Sequence, residues 1–227
     1  MKTKWLGWIA FVTLISVTLW GILLIWVMAT AGPLESFSQV LAYVQKGDWK
    51  FTFTYLNAGI FTTCATALMG GLYVYCRCTL PKWSVVGLVF VPIYSTLNMF
   101  VYLSQITLVP ALLQVTSDPV IADTGLLLLQ QSLQLLPGST IGFFNGLAYA
   151  LLGIPSIIFG WALSRGDNHP LRISGWLLLL NGIACILGIF GTSIGSGILS
   201  TGTVLGGAIF WLSLFPMTYA FLRSKDG

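Results

Sequence analysis

Charge is what this sequence has least of. Ten Lys and Arg, six Asp and Glu and one His serve 227 residues. The charged share is 7%, against about 25% in soluble domains, which excludes a water-soluble globule. The basic residues are dispersed, so the net charge of +4 is no nucleic-acid footprint, and no nucleic-acid partner is expected. Cysteine is also sparse. Cys64 and Cys185 fall in apolar runs, and Cys76 and Cys78 lie beside a loop. That excludes a disulfide framework, and a Cys-Arg-Cys pair is too few ligands for a structural zinc. No metal and no cofactor are expected.

What remains is apolar sequence with a mean hydropathy of +0.90. Six runs stand out, at about 5–31, 52–76, 84–112, 139–164, 173–193 and 203–222, and none contains Asp, Glu, Lys, Arg or His. Each has roughly the 20 residues that cross a hydrocarbon core about 30 Å thick. Strands of a membrane barrel would alternate polar and apolar residues over about 10 positions. Here the runs are continuous, as from Ile22 to Val27. The expectation is an all-α polytopic membrane protein. One domain, residues 1–227, forms a bundle of six transmembrane helices with short interfacial helices on the outer side.

Charge placement orients the bundle. With the N-terminus in the cytoplasm, Lys2, Lys4, Arg77, Lys82, Arg165, Arg172, Arg223 and Lys225 lie inside, and only Lys46 and Lys50 lie outside. Glu35, Asp48, Asp118 and Asp123 fall outside, Asp167 and Asp226 inside. This is the positive-inside pattern, and it predicts cytoplasmic termini in a bacterial-type inner membrane. The first run extends from Trp5 to Met28, beyond the roughly 7–15 residues of a signal-peptide core, so a retained span is expected.

The inner loops are short and carry Pro81, and Gly166 with Pro170. The outer segments are longer. Phe37, Val40, Leu41 and Val44 form an i, i+3, i+4, i+7 stripe that predicts an interfacial helix. Trp49, Phe51, Phe53 and Tyr55 follow as an expected aromatic anchor at headgroup level. Residues 124–136 predict a further helix that is interfacial, re-entrant or a cap on the bundle's outer mouth.

The third run is the most polar. Tyr94, Asn98, Tyr102 and Gln105 recur at steps of four, four and three, so they share one helical face. Polar side chains face lipid at a cost, so this face is expected to point inward. Asn145, Tyr149, Asn181 and Asn57 on other runs are further candidates, and Asn145 or Asn181 is the expected partner of Asn98. Two readings stay open. The face is a lining that binds a small apolar or neutral molecule, or it is interhelical glue, where each side chain stabilises by about 0.6–2 kcal/mol. The 25 glycines include a row at Gly142, Gly146, Gly153 and Gly160. This spacing lets helices approach closely, within one chain or in a homodimer.

Enzymatic readings lack their groups. General acid–base catalysis needs a positioned titratable side chain, and a serine nucleophile needs a base. The runs supply neither, so a non-enzymatic protein is expected. Ion-coupled transport usually leaves an intramembrane carboxylate, which is missing too. Carbonyls freed near Pro92, Pro110 or Pro155 leave channel-like behaviour open. The expected function is binding of a small apolar or neutral molecule, or service as a membrane partner subunit. The alternative is a small transporter or substrate-binding membrane component working with other chains.

Residues 145–191 combine a Gly-rich run, a short basic turn and a Leu-rich run with a central Gly. Pro170, Leu171, Arg172, Ile173, Ser174 and Gly175 form the turn's pattern. This stretch resembles a family of small bacterial membrane proteins known only as a domain of unknown function. The resemblance implies a six-helix integral membrane protein with no assigned activity, and it carries no site residues.

Overall fold

A computed structural model of the chain describes residues 3–32 and 34–224. Lys2, Lys225 and Asp226, counted above for topology, lie outside the described residues. Among the described residues nine helices form: α1 Lys4–Ala31, α2 Phe37–Gln45, α3 Trp49–Cys76, α4 Pro81–Val115, α5 Ala122–Ser132, α6 Thr140–Ser164, α7 His169–Ser193, α8 Gly197–Ser200 and α9 Gly202–Leu222. Among the described residues, six are long and apolar enough to cross a membrane: α1, α3, α4, α6, α7 and the segment Gly197–Leu222. Their centres match the six apolar runs. All but α6 start earlier than the runs, and α4 also ends later, because a helix stops at its caps and not where hydropathy falls. Asp48 accepts from the Lys50 N–H at 3.0 Å, so α3 begins at Trp49 and not at residue 52. The Asn168 side chain caps α7 in the same way, with Pro170 in the first turn.

The long helices close into a ring in chain order. Each packs on the next: α1 on α3, α3 on α4, α4 on α6, α6 on α7, α7 on α9, and α9 returns to α1. Direction alternates, so the ring has two ends. At one end Thr3 Oγ1 lies 2.6 Å from Ser224 Oγ, which brings the two ends of the described chain together. We call this the terminal end and its opposite the far end. Lys4, Arg77, Lys82, Arg165, Arg172 and Arg223 fall at the terminal end, and Lys46 and Lys50 at the far end.

Glycine governs the tightest contacts. A Cβ added to Gly153 would stand 2.7 Å from the Gly182 carbonyl oxygen, and one on Gly160 would stand 2.7 Å from that of Gly175. Gly146, Gly153 and Gly160 of the row on α6 are therefore engaged by α7 of the same chain, whereas Gly142 packs against Ser139 and the 134–136 turn. Between α7 and α9, Gly188 meets Thr203 and Gly206 meets Cys185 in the same manner. Outward faces remain apolar, with Ile25, Trp8, Phe190 and Val204 exposed. Such broad exposed apolar surface suits lipid and not water.

The short helices sit at the far end. A capping box between Ser36 and Gln39 starts α2, which buries Val40, Tyr43 and Val44, with Phe37 and Leu41 partly buried beside them. α5 stops at Ser132, short of the expected 136. Leu133 turns extended, and the Gln105 side chain takes over the backbone there: its Nε2 donates to the Ser132 carbonyl at 2.9 Å, and its Oε1 accepts from the Gln134 N–H at 3.0 Å. Pro137 further disfavours helix at Leu136. α4 has 35 residues, about 52 Å at 1.5 Å per residue, far more than a bilayer core. α5 returns along that excess, from Gly125 against Val115 and Thr116 down to Ser132 beside Gln105. α8 is an unanticipated single turn. Gly195, at φ +71, ends α7, and Ser196 caps the next turn.

Candidate polar site inside the helix ring

The face of α4 expected to point inward does so. Tyr94, Asn98 and Gln105 are fully buried, and Tyr102 nearly so. The helix has no choice in this: residues spaced four, four and three apart lie within one stripe, and the opposite stripe, with Ile93, Phe100 and Leu103, is exposed.

The polar side chains then divide into two kinds. The first kind ties helices together. Asn57 Nδ2 donates to the Ser16 carbonyl at 3.0 Å, joining α3 to α1. Asn181 Nδ2 donates to the Gly206 carbonyl at 2.9 Å, joining α7 to α9, and Gln105 holds the Ser132–Gln134 turn. Each satisfies a backbone acceptor that already has a helical or turn role. These are structural bonds.

The second kind gathers on α4 and α6. Tyr102 and Tyr149 share a hydroxyl–hydroxyl bond of 2.7 Å. The Tyr149 ring stands 6.1 Å from that of Tyr94, and the Tyr102 ring 6.2 Å from that of Tyr55. Asn98 sits one turn from both Tyr94 and Tyr102, close enough to the Tyr94 and Tyr149 hydroxyls for loose side-chain hydrogen bonding. Neither its Nδ2 nor its Oδ1 makes a well-formed hydrogen bond among the described residues. The Tyr94 hydroxyl and Asn145 Oδ1 are likewise unpartnered. The expected pairing of Asn98 with Asn145 or Asn181 is thus not made. Asn181 spends its donor on Gly206, and Asn98 faces the tyrosines instead.

Two residues gain a different role from the one expected. Phe51 and Tyr55 do not anchor at headgroups; both are buried, and the Tyr55 hydroxyl donates to Gln134 Oε1 at 2.8 Å. Trp49 and Phe53, one turn apart on the other side of α3, are the exposed pair. Spacing alone carried that signal: 49 and 53 share a face, as do 51 and 55. Tyr43 was not singled out at all. It lies in α2 with a buried, unpartnered hydroxyl, and burial, with the Asp48 carboxylate adding, pushes its phenol up to about 12. It is a neutral donor at ordinary pH.

Chemically, the inner cluster offers hydroxyls and amides only. Among the described residues no three His, Cys, Asp or Glu side chains come together as a metal site. The cluster can donate and accept hydrogen bonds to an uncharged guest.

The fold and the site define an all-α polytopic membrane protein, six long apolar helices with two shorter interfacial ones. No protein-family model, no curated protein and no solved structure matches the chain.

Proposed function

We propose that this is a non-enzymatic integral membrane protein that holds a small neutral, hydrogen-bonding molecule at the centre of its helix ring. Asn98 carries the reading. A fully buried primary amide with both ends unpartnered costs several kcal/mol in an apolar interior, and a guest with one donor and one acceptor offsets that cost. The Tyr94 hydroxyl adds a second donor. Asn98 is sealed from solvent, so the guest enters by bending of the helices. Pro92 in α4 and Pro155 in α6 favour such bending, because each removes a helical N–H and frees the carbonyl four residues before it. The same proposal places the chain in a bacterial-type inner membrane with cytoplasmic termini. It also includes kinship with the small six-span family that residues 145–191 resemble.

Native mass spectrometry of protein released from mild detergent tests this. Wild type should carry a small neutral adduct. Asn98→Leu should lose it while its stability falls by less than about 0.5 kcal/mol, below the glue range, since no well-formed protein hydrogen bond is removed. A bare wild-type mass would count against the reading. So would a loss of about 1–2 kcal/mol of stability in Asn98→Leu, which is the signature of glue.

A further inference from the structure

A small cavity of about 20 Å³ lies at the far end, where α1, α2 and α3 meet the 134–135 turn, and Tyr102 of α4 forms its inner wall. Trp20, Tyr43, Phe51, Thr54, Tyr55 and Gln134 contribute the rest of the aromatic and polar lining. That volume admits about one water-sized group, so it fits a single oxygen and not a whole ligand. Tyr43, 4% exposed, supplies an unpartnered hydroxyl, while Tyr55 and Gln134 already pair with each other. No charged side chain is among the residues that line it; the nearby Lys50 and Asp48 are paired at 3.3 Å, and Lys50 also lies over the Trp26 ring. Leu24 and Val27 of α1 complete the lining, and on the same helix Ile25 and Met28 are 70% and 62% exposed to lipid.

We propose that this cavity binds the hydroxyl of a neutral single-chain amphiphile, a long-chain alcohol, whose chain lies along the lipid-exposed surface of α1. The single-oxygen volume sets the head, the uncharged lining favours a neutral one, and the exposed aliphatic side chains of α1 receive the tail. The site uses groups other than Asn98 and does not rest on the central reading.

The test uses the full chain in phosphatidylcholine nanodiscs. The probes are a diazirine-bearing hexadecanol and the matching diazirine alkane, which lacks the hydroxyl. The alcohol should label residues 20–28 and the peptide bearing Tyr43, and unlabelled hexadecanol should compete. Tyr43→Phe keeps the ring and removes only the hydroxyl, so alcohol labelling there should fall about fivefold, the loss of one neutral hydrogen bond. Labelling by the alkane should not change. Leu24→Trp, which narrows the cavity from its α1 wall, should reduce alcohol labelling as well. Asn98→Leu should leave it as in wild type, which separates this site from the central one. Equal labelling by alcohol and alkane would overturn the proposal, because the cavity would then hold water only. Unchanged alcohol labelling in Tyr43→Phe would overturn it too.

Discussion

At the scale of single residues, the buried amides fall into two energetic classes, and substitution separates them. Gln105 satisfies two backbone groups of the 132–134 turn, at 2.9 and 3.0 Å. Gln105→Leu leaves a buried carbonyl and a partly buried N–H unpaired, at about 1–3 kcal/mol each. We expect a stability loss of about 2–6 kcal/mol, read by thermal unfolding in detergent. Hydrogen exchange at the Gln134 amide should accelerate with it. An unchanged Gln134 exchange rate would show that the turn is held by other means. Asn98→Leu should instead leave stability near wild type, because no well-formed protein hydrogen bond is lost there. Sequence alone makes the position of both residues legible, since their spacing puts them on one stripe of α4. It does not reveal which amide is tied, because the partner of Gln105 is a backbone turn 27 residues later that follows no period.

At the scale of elements, apolar run length places the six long helices but not their ends. Caps decide the ends, and a cap such as Asp48 or Asn168 is a single residue that hydropathy does not register. Aromatic residues at a span end are ambiguous for a related reason. Headgroup anchors and core residues share composition, and only the α3 packing sends Tyr55 inward and Trp49 outward. Glycine is less ambiguous, because its spacing on α6 has a direct steric reading. Gly153→Leu forces a side chain against the Gly182 backbone, so α6 and α7 must separate. We expect the variant to fail to accumulate as folded protein, or to melt far below wild type. Gly70→Ala is the matched control. A Cβ at Gly70 meets nothing within 4 Å, and replacing a mid-helix glycine stabilises by about 0.5–1 kcal/mol. Leu152 would serve poorly as a mild control, because it is buried in the core cluster beside Phe159. Similar melting temperatures for Gly153→Leu and Gly70→Ala would mean that the α6–α7 contact tolerates separation.

At the scale of the whole molecule, the ring gives the charge count a physical meaning. Alternating helices put Lys4, Arg77, Lys82, Arg165, Arg172 and Arg223 at the terminal end, with Asp167 the acidic side chain there among the described residues. The far end carries Lys46 and Lys50 among Glu35, Asp48, Asp118 and Asp123. The same end also carries both amphipathic helices and the small aromatic cavity. Lys and Arg are retained on the cytoplasmic side during insertion, so the terminal end is expected to face the cytoplasm and the far end the outside. The chain contains its own reporter for this. Cys78 is exposed beside α3's terminal end, whereas Cys76 and Cys185 are buried. A membrane-impermeant maleimide added to intact cells should leave the wild-type protein unlabelled, and permeabilising the membrane should expose Cys78. In a Cys78→Ser background, Asp123→Cys should label from outside without permeabilisation, and Asp167→Cys should not. Labelling of wild-type Cys78 in intact cells, with Asp123→Cys protected, would reverse the orientation. It would also move the proposed alcohol site from the outer leaflet to the inner one.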